Sequence, residues 1–333
     1  MEWYLPVIWA ALIGTAVVMY VILDGFDLGI GILFPFTRTE QERDQMMRTV
    51  APFWDGNETW LVLGGGGLFV AFPKAYAVIM PALYLPVIVM LLALVFRGIA
   101  FEFRTVSRSK TWLNVAFACG STLAAFAQGV ILGGLIQGIP VRDGAFAGGS
   151  FDWATPFACL CGLALIAGYG LLGATWLAMK TEGPVAERAR VQSKVLLAAV
   201  LAFMLAVSLW TPFAEPRVAD RWFSLPNFYY LWPVPAVTAL TAYLLWRWIG
   251  QQREVPPFLA TIVLFLLGFL GLVISHFPYL VPPSLTVWET AAAPASQIFM
   301  LLGTLFLLPI ILGYVGFIYW LFRGKVGVGE TYH

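Results

Sequence analysis

The sequence predicts an all-α integral membrane protein with nine transmembrane helices, and three observations carry that expectation. The first is composition: of 333 residues, 60% are hydrophobic and only 11% charged. A soluble domain carries about 25% charged and about 45–50% apolar residues, so there is too little polar side chain here to coat a water-soluble globule. A mean hydropathy of +0.84 agrees. The second is the grouping of apolar residues into segments near the roughly 20 residues that cross a bilayer. The third is an uneven distribution of Lys and Arg between alternate loops.

Taken in order, the expected spans cover approximately 6–33, 53–72, 76–102, 112–136, 154–179, 195–213, 229–249, 257–277 and 295–322, within one polytopic membrane domain, 1–333. The first lacks the basic leader and small-residue cleavage site of a signal peptide, so it reads as a retained span. The second is cut short by Pro73 and Lys74. Two connections, 137–153 and 214–228, are longer and rich in Gly, Pro or charge.

With the N-terminus outside, fourteen Lys and Arg fall in inner loops, from Arg38 to Lys325. Four fall outside (Lys74, Arg142, Arg217, Arg221), and Arg97 lies inside a span. The positive-inside rule then sets the N-terminus periplasmic, the C-terminus cytoplasmic and the span count odd. Tryptophans and tyrosines such as Trp3, Trp112, Trp153, Tyr230 and Trp320 stand near the expected boundaries, as interfacial belts require.

Several functions find no support. A net charge of +1 offers nothing to nucleic acid. The three cysteines, Cys119, Cys159 and Cys161, lack zinc or cluster spacing and read as small packed hydrophobes. One histidine, His276, lies near a span and the other, His333, ends the chain. One such residue cannot ligate several haems. P-loop, G-x-S-x-G and C-x-x-C-H patterns are absent.

Charges within spans are costly and mark pathways or buried pairs. Asp24 and Asp27, toward the inner end of span one, are spaced i,i+3 and share a helix face. Gly25 and Gly29 form a small-xxx-small pair for close helix approach. The two acids read either as a carboxylate station for protons or as acids hydrogen-bonded to neighbouring helices. Trp54-Asp55-Gly56-Asn57-Glu58-Thr59-Trp60 opens span two. Asp55 there reads as a helix N-cap or, with Asn57 and Glu58, as part of a hydrated mouth. Gly64 to Gly67 implies very close packing or an open lane. Arg97 pairs with one of these acids or with an anionic group on a partner, or snorkels to the interface. Arg104 shares its face, and Glu102 points elsewhere. Intramembrane acids also suit a proton-coupled secondary transporter.

The runs Leu23-Asp24-Gly25-Phe26-Asp27-Leu28-Gly29, Ala51-Pro52-Phe53-Trp54-Asp55-Gly56-Asn57-Glu58-Thr59-Trp60 and Phe96-Arg97-Gly98-Ile99-Ala100-Phe101-Glu102-Phe103-Arg104 resemble subunit II of cytochrome bd quinol oxidases. Their wording is most similar to the cyanide-insensitive branch. The resemblance extends across the chain. It implies two four-helix bundles plus one additional helix in the bacterial inner membrane. It implies an enzyme that oxidises quinol, reduces dioxygen to water and takes protons from the cytoplasm without pumping. Haem b and haem d are expected on the partner, subunit I, and no metal or catalytic residue on this chain. Membrane lipid is a further expected contact, and small single-span subunits are left open. By the same resemblance Asp24, Asp27 and Asp55 fall on the proton path, with Glu58 at a position not always acidic. Trp60 falls at an oxygen channel, and Arg97, Glu102 and Asn57 serve structure and charge pairing.

Overall fold

The computed structural model describes residues 3–327. In chain order the helices are α1 (Tyr4–Leu33), α2 (Glu40–Arg48), α3 (Trp54–Ala71), α4 (Pro73–Arg104), α5 (Thr111–Gln137), α6 (Pro156–Lys180) and α7 (Pro184–Ala214). They continue with α8 (Pro216–Phe223), α9 (Asn227–Leu231), α10 (Pro233–Gly250), α11 (Val255–His276), α12 (Val287–Thr290) and α13 (Pro294–Leu321). Two small hairpins, β1 (Val141–Arg142) with β2 (Ala145–Phe146) and β3 (Tyr279–Val281) with β4 (Leu285–Thr286), lie between helices on one side of the bundle. The chain is an all-α membrane protein. His333 lies outside the described residues.

Among the described residues eight helical segments are long and apolar enough to cross a membrane: α1, α4, α5, α6, α7, α9 with α10, α11 and α13. The helix that falls short is α3, at the expected second span. It has 18 residues, about 27 Å of rise against a hydrocarbon core of about 30 Å. Asp55, Asn57 and Glu58 in its first turns, and the run of four glycines, lower its hydropathy.

Two other boundaries differ from expectation. α7 begins at Pro184, not near 195, because Glu187, Arg188, Arg190 and Lys194 ride on turns that precede its apolar stretch. The segment 229–249 is broken at Trp232: α9 ends there and α10 starts with Pro233. A proline lacks the N–H needed inside a helix but suits a first position.

Packing centres on the C-terminal half of α1, where every residue from Asp24 to Phe34 is buried. A helix buried all round needs neighbours on every side, and α1 contacts α3, α5 and α6. Phe26 stacks on Trp176 at 4.2 Å between ring centroids, with Phe258 edge-on. Glycine permits the approach of α6. A Cβ on Gly29 would stand 1.9 Å from the Tyr169 carbonyl, and one on Gly173 2.5 Å from the Gly29 backbone. The expected small-xxx-small contact is thus made with α6. In contrast, Gly65 and Gly66 on α3 meet no other part of this chain.

The peripheral helices bury little. α13 buries only Gln297 among its residues, and α10 only Ala242, Leu245 and Ile249. Their apolar surfaces suit lipid or a partner subunit, where exposed aliphatic side chains carry no penalty. Gly29→Ala is expected to cost at least about 1–3 kcal/mol through overpacking, read as a lower Tm of the purified protein, whereas Gly65→Ala leaves Tm unchanged.

Candidate functional site

Asp24, Asp27 and Arg97 are buried to within 1% of full enclosure, which makes them the costliest groups in the chain. Helical spacing puts both acids on one face of the C-terminal half of α1, toward Asn57 of α3 and Arg97 of α4. Arg97 reaches them from α4. Its Nη1 donates to Asp24 Oδ1 at 2.5 Å, and its Nη2 to Glu58 Oε2 at 3.3 Å. Snorkelling is therefore not what Arg97 does; it is a fully enclosed counter-ion. Glu58 is half-buried, at the opening of α3.

Asp27 makes no direct contact with the guanidinium. Asn57 Nδ2 donates to Asp27 Oδ2 at 2.8 Å and to the Leu23 carbonyl at 3.2 Å. Tyr319 of α13 donates to Asn57 Oδ1 at 2.9 Å. A second polar chain runs away from Asp24. The Tyr20 hydroxyl lies beside that carboxyl and takes a bond from Gln128 Nε2 at 2.8 Å, while Tyr169 donates to Gln128 Oε1 at 2.7 Å. Asp24 Oδ2, Asp27 Oδ1, Arg97 Nε and Ser121 Oγ have no hydrogen-bond partner among the described residues.

Three carboxyl groups thus face one guanidinium. If all were ionised the cluster would carry excess negative charge in a low-dielectric interior, where uncompensated charge is expensive. Such a cluster is suited to binding and releasing a proton.

The remaining expected residues divide. Asp55 is exposed in the first turn of α3, outside the buried cluster but one turn from Glu58. It is not the N-cap: that position is Phe53, with no side-chain cap. Trp60 is buried against Ala16 and Tyr20. Glu102 has to be corrected as a charge-pairing residue. Its side chain is exposed and joins none of the ion pairs among the described residues. Five residues from Arg97 on a helix of 3.6 residues per turn, it points well off the inward face. Arg104, seven residues on, keeps that face and is buried.

Arg104 belongs to a second network that the sequence did not disclose. It bonds Glu40 Oε2 at 2.7 Å, Asn114 Oδ1 at 2.6 Å, and Asp44. Lys110 also reaches Asp44, and Arg188 of α7 pairs with Glu42 at 3.0 Å. The arrangement clasps α2 against α4, α5 and α7. The hydrogen bond from Arg188 holds Glu42 below its ordinary carboxyl range. Burial opposes ionisation of Asp44 and Glu40, but the bonds from Arg104 and Lys110, and from Arg43 and Arg104, bring both below theirs. The missed members of the buried cluster are Tyr20, Gln128, Tyr169 and Tyr319. Only Tyr20, one turn before Asp24, had a local signal.

His276, the one histidine among the described residues, stands at the end of α11 with Nδ1 3.0 Å from the Leu272 carbonyl. No group of three or more potential metal-ligating side chains occurs among the described residues.

Fold and site together define a polytopic helical membrane protein with an enclosed acid–guanidinium cluster. The family model for cytochrome bd terminal oxidase subunit II matches residues 5–322. Cytochrome bd-I ubiquinol oxidase subunit 2 of Escherichia coli strain K12 is 28% identical, covering 96% of this chain and 94% of its own. Cytochrome bd ubiquinol oxidase subunit 2 of Bacillus subtilis strain 168 is also 28% identical, with 97% of each covered. A chain from the structure of bd oxidase from Geobacillus thermodenitrificans superposes with a TM-score of 0.78 at 19% identity, over 96% of this chain and 98% of that one.

The chain belongs to the cytochrome bd terminal oxidase subunit II family. It is a subunit of a quinol oxidase complex that contains haem and subunit I. That membership replaces a proton-coupled secondary transporter as the reading of this chain.

Two outcomes follow from the ion pairs. Arg97→Gln leaves Asp24 buried without its cation and is expected to cost about 3–5 kcal/mol. Adding Asp24→Asn restores part of the loss, as measured by thermal unfolding. For the clasp, carboxyl groups held below their ordinary values contribute stability above those values and lose it as pH falls through the lowered ones. Hydrogen-exchange protection factors at residues 40–48, corrected for the intrinsic rate at each pH, are therefore expected to be high at neutral pH and to fall only below the ordinary carboxyl range.

Proposed function

We propose that this subunit carries the cytoplasmic proton inlet of the oxidase. Every electron given to dioxygen on the way to water is matched by a proton, and the reduction takes place inside the membrane. The observation that carries the proposal is the enclosed cluster of Asp24, Asp27 and Glu58 around Arg97, with exposed Asp55 one turn from Glu58 at the α3 mouth. A proton enters at Asp55 and moves to Glu58. It passes to the Asp24–Asp27 pair on α1, with Arg97 balancing the charge that remains. From there it goes to the partner, subunit I.

Haem b and haem d sit on that partner, which oxidises quinol and binds dioxygen; this chain supports it and supplies protons. The membrane is the bacterial inner membrane, with the N-terminus periplasmic and the C-terminus cytoplasmic, as the fourteen-to-four distribution of basic residues favours. α3 counts as the ninth span. The helices then make two four-helix bundles and one additional helix, a place that the near-complete exposure of α13 suits. Trp60, buried below the open edge at Gly65 and Gly66, marks an oxygen route along α3.

Asp24→Asn, Asp27→Asn and Asp55→Asn are each expected to slow quinol-driven oxygen consumption by roughly tenfold or more while the purified complex keeps its haem d absorption. Normal turnover in all three would overturn the proton inlet and leave these acids a structural role.

A further inference from the structure

We infer that Tyr319 is a positioning residue for Asp27: its hydroxyl locks the Asn57 amide, so that Asp27 takes up and releases its proton on Oδ1 alone. This rests on the proton inlet proposed above.

The orientation of Asn57 follows from its partners. The Leu23 carbonyl can only accept, so the amide atom 3.2 Å from it must be the NH₂ nitrogen. The same nitrogen lies 2.8 Å from Asp27 Oδ2. Its two hydrogens are therefore both committed, and Oδ2 is held as an acceptor. The other end of the amide, Oδ1, takes the hydrogen of the Tyr319 hydroxyl. Asp27 Oδ1 is buried and has no hydrogen-bond partner among the described residues, so it is the oxygen left to hold a proton. The groups that face Asp27 are Asp24 on its own helix, Asn57 and Glu58 on α3, Arg97 on α4 and Tyr319 on α13.

Tyr319 is itself held in place. Its ring stacks on Phe53 at 4.4 Å, with Phe26 and Trp176 edge-on at 6.5 and 6.4 Å. One turn on, Lys180 Nζ donates to the Phe322 carbonyl at 2.5 Å and also bonds the Gly324 carbonyl. Gln45 of α2 donates to the Val326 carbonyl at 2.8 Å. α13 buries almost nothing along its length, yet its inner end is fastened at the level of the acid cluster. Removing the hydroxyl would leave Asn57 Oδ1 unsatisfied. An amide flip would then turn that oxygen toward the Leu23 carbonyl and the Asp27 carboxyl.

The experiment compares wild type, Tyr319→Phe, Asp27→Asn and Tyr314→Phe in the intact purified complex, by oxygen consumption and redox-induced infrared difference spectra. The carboxylic C=O band lost in Asp27→Asn identifies Asp27. Tyr319→Phe keeps the packed ring and is expected to shift that band. It should also slow turnover about two- to tenfold, the worth of one hydrogen bond, with haem absorption unchanged. Tyr314→Phe, exposed on the same helix, should change neither. An unshifted Asp27 band in Tyr319→Phe overturns the inference even if turnover falls, because that loss would then be structural. Should Tyr319→Phe fail to assemble, fluorotyrosine at position 319 keeps ring and hydroxyl while strengthening the donor, and must shift the same band. Normal turnover in Asp27→Asn, with no band lost, would instead overturn the proton inlet itself.

Discussion

The contact between Arg97 and Asp24 sets the terms for the packing around the C-terminal half of α1. A guanidinium and a carboxylate fully enclosed between α1 and α4 can persist only with each other as partners, since desolvation of either alone costs several kcal/mol. Meeting that demand places Glu58 on the second arm of Arg97 and so seats the opening of α3 against both helices. It also requires α1 to be covered on its other faces. The Gly29–Gly173 crossing does this by bringing the α6 backbone almost into contact.

Two kinds of charge organisation lie side by side in the fold. Around Arg97, the buried Asp24 and the half-buried Glu58 share one guanidinium, with Asp27 beside them on Asn57. Around Arg104, Glu40, Asp44, Lys110 and Asn114 satisfy one another at the edge of the bundle, where screening by water weakens each pair. Arg97 and Arg104 sit seven residues apart on one face of α4, so a single helix carries the buried cluster and the clasp beside it.

α13 shows how a helix with little burial can still matter. Its N-terminal end is pinned by Gln297, which donates to the Ala71 carbonyl and accepts from Trp9 on its own carbonyl. Its C-terminal end is held by Lys180 and the Tyr319–Asn57 bond. Between these points its side chains face outward, available to lipid or to subunit I. The geometry of Asp27 therefore depends on a segment far from it in sequence, through one hydroxyl and one amide.

Much of the fold was legible in the sequence. Long apolar runs can satisfy their backbone in a bilayer only as helices, and α1, α4, α5, α6 and α11 lie close to the expected spans. The cost of intramembrane charge singled out Asp24, Asp27, Glu58 and Arg97, and helical spacing put Arg97 and Arg104 on one face and Glu102 off it. Spacing says which residues share a face, not what that face meets. Only the tertiary structure decided that Arg97 takes Asp24 and Glu58 while Asp27 takes Asn57. It also left Asp55 exposed and brought Tyr319 to the cluster. These contacts join residues 73, 39, 30 and 262 positions apart, and side-chain partners at such separations are chosen by helix packing, which no local period encodes.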